Sequence, residues 1–295
     1  MKLTNLSKQI NGKTIFSDLN FTLYPGQICG LIGRNGAGKT TLFRTIANHY
    51  QVDSGAITIE GQSLSEDLSS YQKLFYLDEQ EHPLNRLTAK QIGHYYHLLY
   101  PNFDQENYQQ YLVTYRLPEK HHYRSYSKGM KGLLHVIIAF STGASYLLLD
   151  EPFDGLDIII KKQVIRLILE EVSQRQLALL ISSHNLKELE NLIERAVILK
   201  NQHIINDYHL ENCRKVAVKV QMVFQGSDIP ELIQEHCTII SQQGRVITGI
   251  FSNLSKDLLT QVKLLKPLLF EELPVSLEDL FIVNLIDEQD YQLIT

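Results

Sequence analysis

The chain has 295 residues, 44% of them hydrophobic and 21% charged, an ordinary globular balance that argues against disorder and fits one large α/β domain with an appendage or two modest domains. A net charge of −5 argues against nucleic acid as the main partner, and the scattered Cys29, Cys213 and Cys237 have no metal-ligand spacing and suit a reducing compartment. No apolar run approaches the roughly eighteen residues of a membrane span, and the strand-like Met1-Lys2-Leu3-Thr4-Asn5-Leu6 lacks a signal-peptide core, so any work at a membrane needs a second chain.

In chain order, residues 2–6 and 13–23 read as strands of an antiparallel meander turning at Asn11-Gly12. Tyr24-Pro25-Gly26 then feeds a buried strand, Gln27 to Ile32, followed by a glycine-rich loop and a helix with apolar spacing from Thr41 to Ala47. Asp53-Ser54-Gly55 turns into a strand from Ala56 to Glu60, and a short apolar strand, Leu74 to Leu77, stops at Asp78-Glu79-Gln80-Glu81. From Thr88 to Gly143 the chain turns helical and rich in Tyr and His, which reads as an all-helical insertion. Strand and helix then alternate: strand 146–150, a helix through about 174, strand 177–182, a helix over 186–193 and strand 196–199. The expectation is an α/β fold with a mainly parallel sheet, helices on both faces and an antiparallel β subdomain, occupying residues 1–210. Residues 211–295 read as a small α+β accessory domain, with strands at 215–224, 237–241 and 245–251 and helices at 230–236, 254–264 and 276–286.

The loop after the buried strand carries the sharpest chemistry. It runs Gly33-Arg34-Asn35-Gly36-Ala37-Gly38-Lys39-Thr40-Thr41 and matches a P-loop between strand and helix. Its glycines let backbone N–H groups face a polyphosphate, Lys39 reaches the β- and γ-phosphates, and the Thr40 hydroxyl suits Mg²⁺. Leu147-Leu148-Leu149-Asp150-Glu151 delivers two carboxylates to the same sheet edge: Asp150 for the Mg²⁺ shell, Glu151 to polarise an attacking water. Ser183-His184 follows the strand Ala178 to Ser182 at that edge, which gives a histidine that is otherwise structural or solvated a second candidate role, sensing a γ-phosphate. Ser127 is a good N-cap for the apolar helix that follows, and Gly129 is a permissive backbone point, so this helix N-terminus suits an anion. His94, His97, His121 and His122 fit no strong ligand pattern, and the tyrosines from 95 to 126 lack the interleaved basic residues of a nucleic-acid face, so both sets read as helical core and surface.

Taken together and in this order, these motifs over about residues 2–208 resemble the nucleotide-binding subunit of an ABC transporter. The resemblance implies a P-loop NTPase core with Gly33 to Thr41 as its Walker A loop and Leu147 to Glu151 as its Walker B strand. Ser127-Lys128-Gly129-Met130 stands at the signature motif, Phe153-Asp154-Gly155-Leu156-Asp157 at the D-loop and His184 at the switch histidine. It implies ATP hydrolysis with Mg²⁺, a location at the cytoplasmic face of the cell membrane, and a separate integral membrane permease subunit. It also implies a second ATPase subunit, in a homo- or heterodimer whose partner closes its Ser127 and Gly129 over each ATP. The chain departs from the family pattern at Lys128 and Met130, where glycine and glutamine are usual, and at the Q-loop, where either Glu79 or Gln80 fills the role. Ile10 stands near the place of the usual adenine-stacking aromatic, which predicts weaker apolar contact with the base. Residues 126–130, 151–157 and 276–281 resemble an exporter branch that includes bacitracin and bacteriocin self-immunity pumps. The rival expectation is a soluble ABC ATPase acting on ribosomes or nucleic acid, against which stand the single P-loop and the lack of long heptads.

Overall fold

The computed structural model describes residues 1–76, 83–183, 185–212, 217–226 and 228–285. They divide into two compact units, Met1–Asp207 and Tyr208–Thr295.

In the first unit, β1 (Lys2–Ile10) and β2 (Lys13–Thr22) form a hairpin across Asn11-Gly12, whose φ values of 52° and 75° suit a two-residue turn. Next come β3 (Ile28–Ile32), buried at every position, α1 (Lys39–Ile46), β4 (Ser54–Ile59) and β5 (Gln62–Ser63). An antiparallel sheet in the order β2-β1-β4-β5 turns Leu3, Leu6, Phe16, Leu19 and Ile57 into a core shared with Leu42 and Phe43 of α1 and Cys29 and Leu31 of β3. Burial of such apolar side chains is the main stabilising term here, at about 25 cal/mol per Å² removed from water.

The second sheet carries the site edge. It adds β6 (Leu74–Tyr76), β7 (Tyr146–Asp150), β8 (Ala178–Ser182), β9 (Arg195–Lys200) and β10 (His203–His209) to β3, in the order β10-β9-β3-β8-β7-β6. From β9 to β6 every neighbouring pair is parallel. Leu31 and Asp150 both register with Ser182, so the chain leaves β3, β7 and β8 at one common edge. Ligands bind beyond that edge in open parallel sheets.

Between β6 and β7 lie α2 (Ala89–Leu99), α3 (Gln105–Thr114) and α4 (Lys128–Ser141). Their starts are set by side-chain caps: a reciprocal Thr88–Gln91 capping box, Asp104 and Ser127. Tyr96, Tyr108, Tyr123 and Tyr126 are buried in this helical part, with the Tyr108 hydroxyl donating to the Ala89 carbonyl at 2.7 Å, whereas Tyr95 lies at the surface. α5 (Ile158–Arg175) and the one-turn α6 (Leu186–Leu189) complete the unit. The sequence pattern extends α6 to residue 193 because Leu192 and Ile193 are still buried, although the backbone has already left the helix.

The second unit is an antiparallel sheet of β11 (Val218–Val223), β12 (Thr238–Gln243), β13 (Val246–Phe251) and β14 (Leu269–Leu273), in the order β12-β13-β11-β14. With α7 (Glu231–His236), α8 (Lys256–Leu264) and α9 (Leu277–Leu285) it makes a separate small core around Val220, Met222, Phe251 and Val262. Lys219 on β11 holds the buried Asp279 of α9 through both carboxylate oxygens at 2.9 Å.

Candidate functional site

The buried β3 leads straight into Gly33, where a Cβ would come 2.8 Å from the carbonyl oxygen of Leu199, so only glycine lets the chain turn this close to β9. The turn tightens with the Ala37 N–H donating to the Arg34 carbonyl at 3.0 Å, and it ends at Gly38, the N-cap of α1, with φ of 105°. Arg34, Asn35 and Gly36 face solvent, while Ala37, Gly38, Thr40 and Thr41 are half-buried. Lys39, the first residue of α1, is 6% exposed; its Nζ donates to the Gly33 carbonyl at 2.7 Å and lies 4.0 Å from Glu151 Oε1. Burial pushes the Lys39 pKa below that of an ordinary lysine, while the charges of Glu151 and Asp150 pull it back up. A buried ammonium beneath a glycine loop, at a helix start with no acidic residue in its first turn, is an arrangement that can receive phosphate oxygens.

Asp150 ends β7 and Glu151 follows it, both half-buried. Across the strand pair, the Ser182 hydroxyl donates to Asp150 Oδ1 and accepts from the Glu151 N–H at 3.0 Å. That N–H also donates to the Ser182 carbonyl at 3.2 Å. In the sequence Ser182 is only the end of a strand, and the one signal of its role is a Ser-Ser pair closing an otherwise apolar run, Ala178 to Ile181.

Ser127 and Gly129 stand at the start of α4, where Ser127 Oγ accepts from the Met130 N–H at 3.2 Å. Here the contacts run to the segment after Glu151: Lys128 Nζ meets Asp154 Oδ2 at 2.9 Å, and Gly132 packs so closely on Leu156 that a Cβ would come within 2.9 Å of it. Asp157 then caps α5 by accepting from the N–H groups of Ile159 and Ile160 at 2.8 and 2.9 Å. From the first turn of α5, Lys161 pairs with Glu188, which also accepts from the Asn185 side chain at 3.2 Å and the Ser183 hydroxyl at 3.4 Å. The structure therefore brings Gly33 to Thr41 together with Asp150 and Glu151, and ties the Ser127 helix to residues 154–160.

Residues 16–154, which contain the loop and the carboxylate pair, match the family model described as ABC transporter. The chain is 31% identical over 284 residues to the ABC transporter ATP-binding protein YtrB of Bacillus subtilis strain 168, covering 96% of this chain and 97% of that relative. The chain belongs to the ABC transporter ATP-binding family. This ABC ATPase is also 28% identical over 273 residues to the bacitracin transport ATP-binding protein BcrA of Bacillus licheniformis, covering 87% of this chain and 86% of that one. A solved structure described as the ATP-binding subunit of an ABC transporter matches it with a TM-score of 0.66 at 26% identity, over 72% of this chain and 91% of the other. The fold of this ABC ATPase is thus that of a P-loop NTPase cassette, and ATP hydrolysis is the activity of its family. Among its described residues, no helix is long and apolar enough to cross a membrane. Glu79, Gln80 and His184, the expected Q-loop and switch residues, lie outside the described residues.

Proposed function

We propose that this ABC ATPase powers an exporter at the cytoplasmic face of the membrane, docked on a separate permease subunit, with ATP held at Gly33 to Thr41. The observation that carries the site assignment is Lys39 Nζ, set between the Gly33 carbonyl at 2.7 Å and Glu151 Oε1 at 4.0 Å. That spacing puts a cation for phosphate oxygens and a carboxylate for an attacking water within one small volume. Glu151 is the general base, Lys39 and the loop N–H groups orient the phosphates, and His184 senses the γ-phosphate. The Thr40 hydroxyl and the Asp150 carboxylate are hard oxygen donors, a fit for Mg²⁺, which takes one or two protein ligands beside phosphates and waters. When bound there, Mg²⁺ supplies charge neutralisation at the phosphate oxygens.

Ser127 and Gly129 complete the site from a second copy of the chain. The support is that one chain carries both halves, a P-loop with its carboxylates and a capped α4 start, so a two-fold pair holds two finished sites. Residues 211–295 form an accessory domain in a regulatory or pair-supporting role. The exporter reading is supported by the likeness to the bacitracin transport protein across both units. Purification of the tagged chain from detergent-solubilised native membranes tests it: a stoichiometric integral membrane partner is expected, and RNA or DNA carried along in its place would contradict it.

A further inference from the structure

We propose that Ser182 is the positioning residue that holds Asp150 and Glu151 in working geometry, a role that rests on the reading of those two carboxylates given above. Ser182 is fully buried at the end of β8, directly opposite Asp150 in the parallel register. The single hydroxyl proton of Ser182 goes to Asp150 Oδ1. That orientation leaves an oxygen lone pair for the Glu151 N–H at 3.0 Å, which the Ser182 carbonyl also holds at 3.2 Å. One side chain thereby engages the first carboxylate and adds a second acceptor to the backbone N–H of the second.

The backbone of Glu151 needs such a hold. Its φ is 50°, in the left-handed region that a residue with a Cβ rarely adopts. Such a conformation persists where surrounding contacts over-determine it. In this conformation the Glu151 carboxylate reaches back to within 4.0 Å of Lys39 Nζ, and the Glu151 N–H is shared between the Ser182 carbonyl, as the last ladder bond of the β7–β8 pair, and the Ser182 hydroxyl. With Oδ1 of Asp150 engaged by Ser182, the carboxylate is presented in one orientation for the ligand that Thr40 shares. Loss of the hydroxyl removes the one bond to Asp150 Oδ1 and one of the two acceptors of the Glu151 N–H, and leaves the phosphate-binding loop untouched.

The test uses the full-length chain with Ser182→Ala and Ser182→Cys, the second of which refills the volume without an equivalent hydroxyl. Both variants are expected to lower kcat about 10- to 100-fold, the usual cost of removing a group that orients a ligand. ATP affinity measured in EDTA should stay within about twofold of wild type, because the P-loop groups are unchanged. Mn²⁺ affinity, read by EPR in the presence of a non-hydrolysable ATP analogue, should weaken roughly tenfold. Wild-type kcat and Mn²⁺ affinity in Ser182→Cys would overturn the proposal and leave Ser182 as packing alone, and this holds even if the alanine variant does not fold. Glu151→Gln is run beside them: if it too retains wild-type turnover, the role assigned to Glu151 fails, which is a separate result from failure at Ser182.

Discussion

Glu151→Gln is expected to slow ATP turnover by about 10²- to 10⁴-fold while ATP binding survives, the range associated with loss of a general base. The amide keeps the size of the side chain and an oxygen that can face Lys39, but it has no basic carboxylate to take a proton from water. The backbone of residue 151 is held through its N–H by Ser182, a contact the substitution leaves in place, so the loop keeps its course. Phosphate release in the steady state, set beside equilibrium titration with ATP, separates the two effects. Turnover close to wild type would remove Glu151 from the role of base.

Lys39→Ala is expected to act on the other half of the site, lowering ATP affinity about 10- to 100-fold through loss of charge-assisted hydrogen bonds to phosphate. Its effect on the ligand-free fold has the opposite sign from that of a typical buried truncation. Burial lowers the Lys39 pKa, so folding disfavours the charged ammonium relative to the unfolded chain, and at neutral pH its removal relieves a cost that offsets the lost hydrogen bond to the Gly33 carbonyl. Without nucleotide, the melting temperature of the variant should therefore match or exceed that of wild type. With saturating ATP the order should reverse, because only the wild type gains the full stabilisation from bound ligand. Differential scanning fluorimetry with and without ATP reads both; a variant that melts well below wild type without ATP would mean that Lys39 is structural.

Much of this site is legible in the sequence because its chemistry is local. Glycine at 33 and 38, the Ser127 cap and the Asp150-Glu151 pair each follow from a few neighbouring residues: Gly38 precedes α1, Ser127 caps α4, and Asp150 closes β7. What the sequence could not reveal depends on register. Ser182 matters only because β8 lies beside β7 with Asp150 opposite it, and no spacing within the chain announces that pairing. Lys128 reads in the sequence as a departure from a family pattern, and in the structure it is one arm of an ion pair to Asp154, twenty-six positions away. Lys161 and Glu188 likewise look like ordinary helix-surface charges until α5 and α6 are placed together.

The missed strands have a similar cause. β10 alternates exposed and half-buried residues with His, Asn and Asp among them, since it pairs on one side only, and so lacks the apolar run that marks β3 or β8. β14, Leu269-Phe270-Glu271-Glu272-Leu273, has the composition of a helix and becomes a strand through pairing with β11. Tertiary partners override local propensity at such edges, whereas the central strands announce themselves by continuous burial.

In the proposed arrangement the ATP site at Lys39 is half of a site, finished by Ser127 and Gly129 of another copy. Sedimentation of the purified Glu151→Gln chain, which binds ATP without consuming it, tests this most directly. A single-chain species without ATP and a two-chain species with ATP are expected. Adding Ser127→Arg to the same chain should abolish the association while ATP still binds. ATP-driven pairing that survives Ser127→Arg, or full ATP occupancy with no pairing at all, would contradict the account.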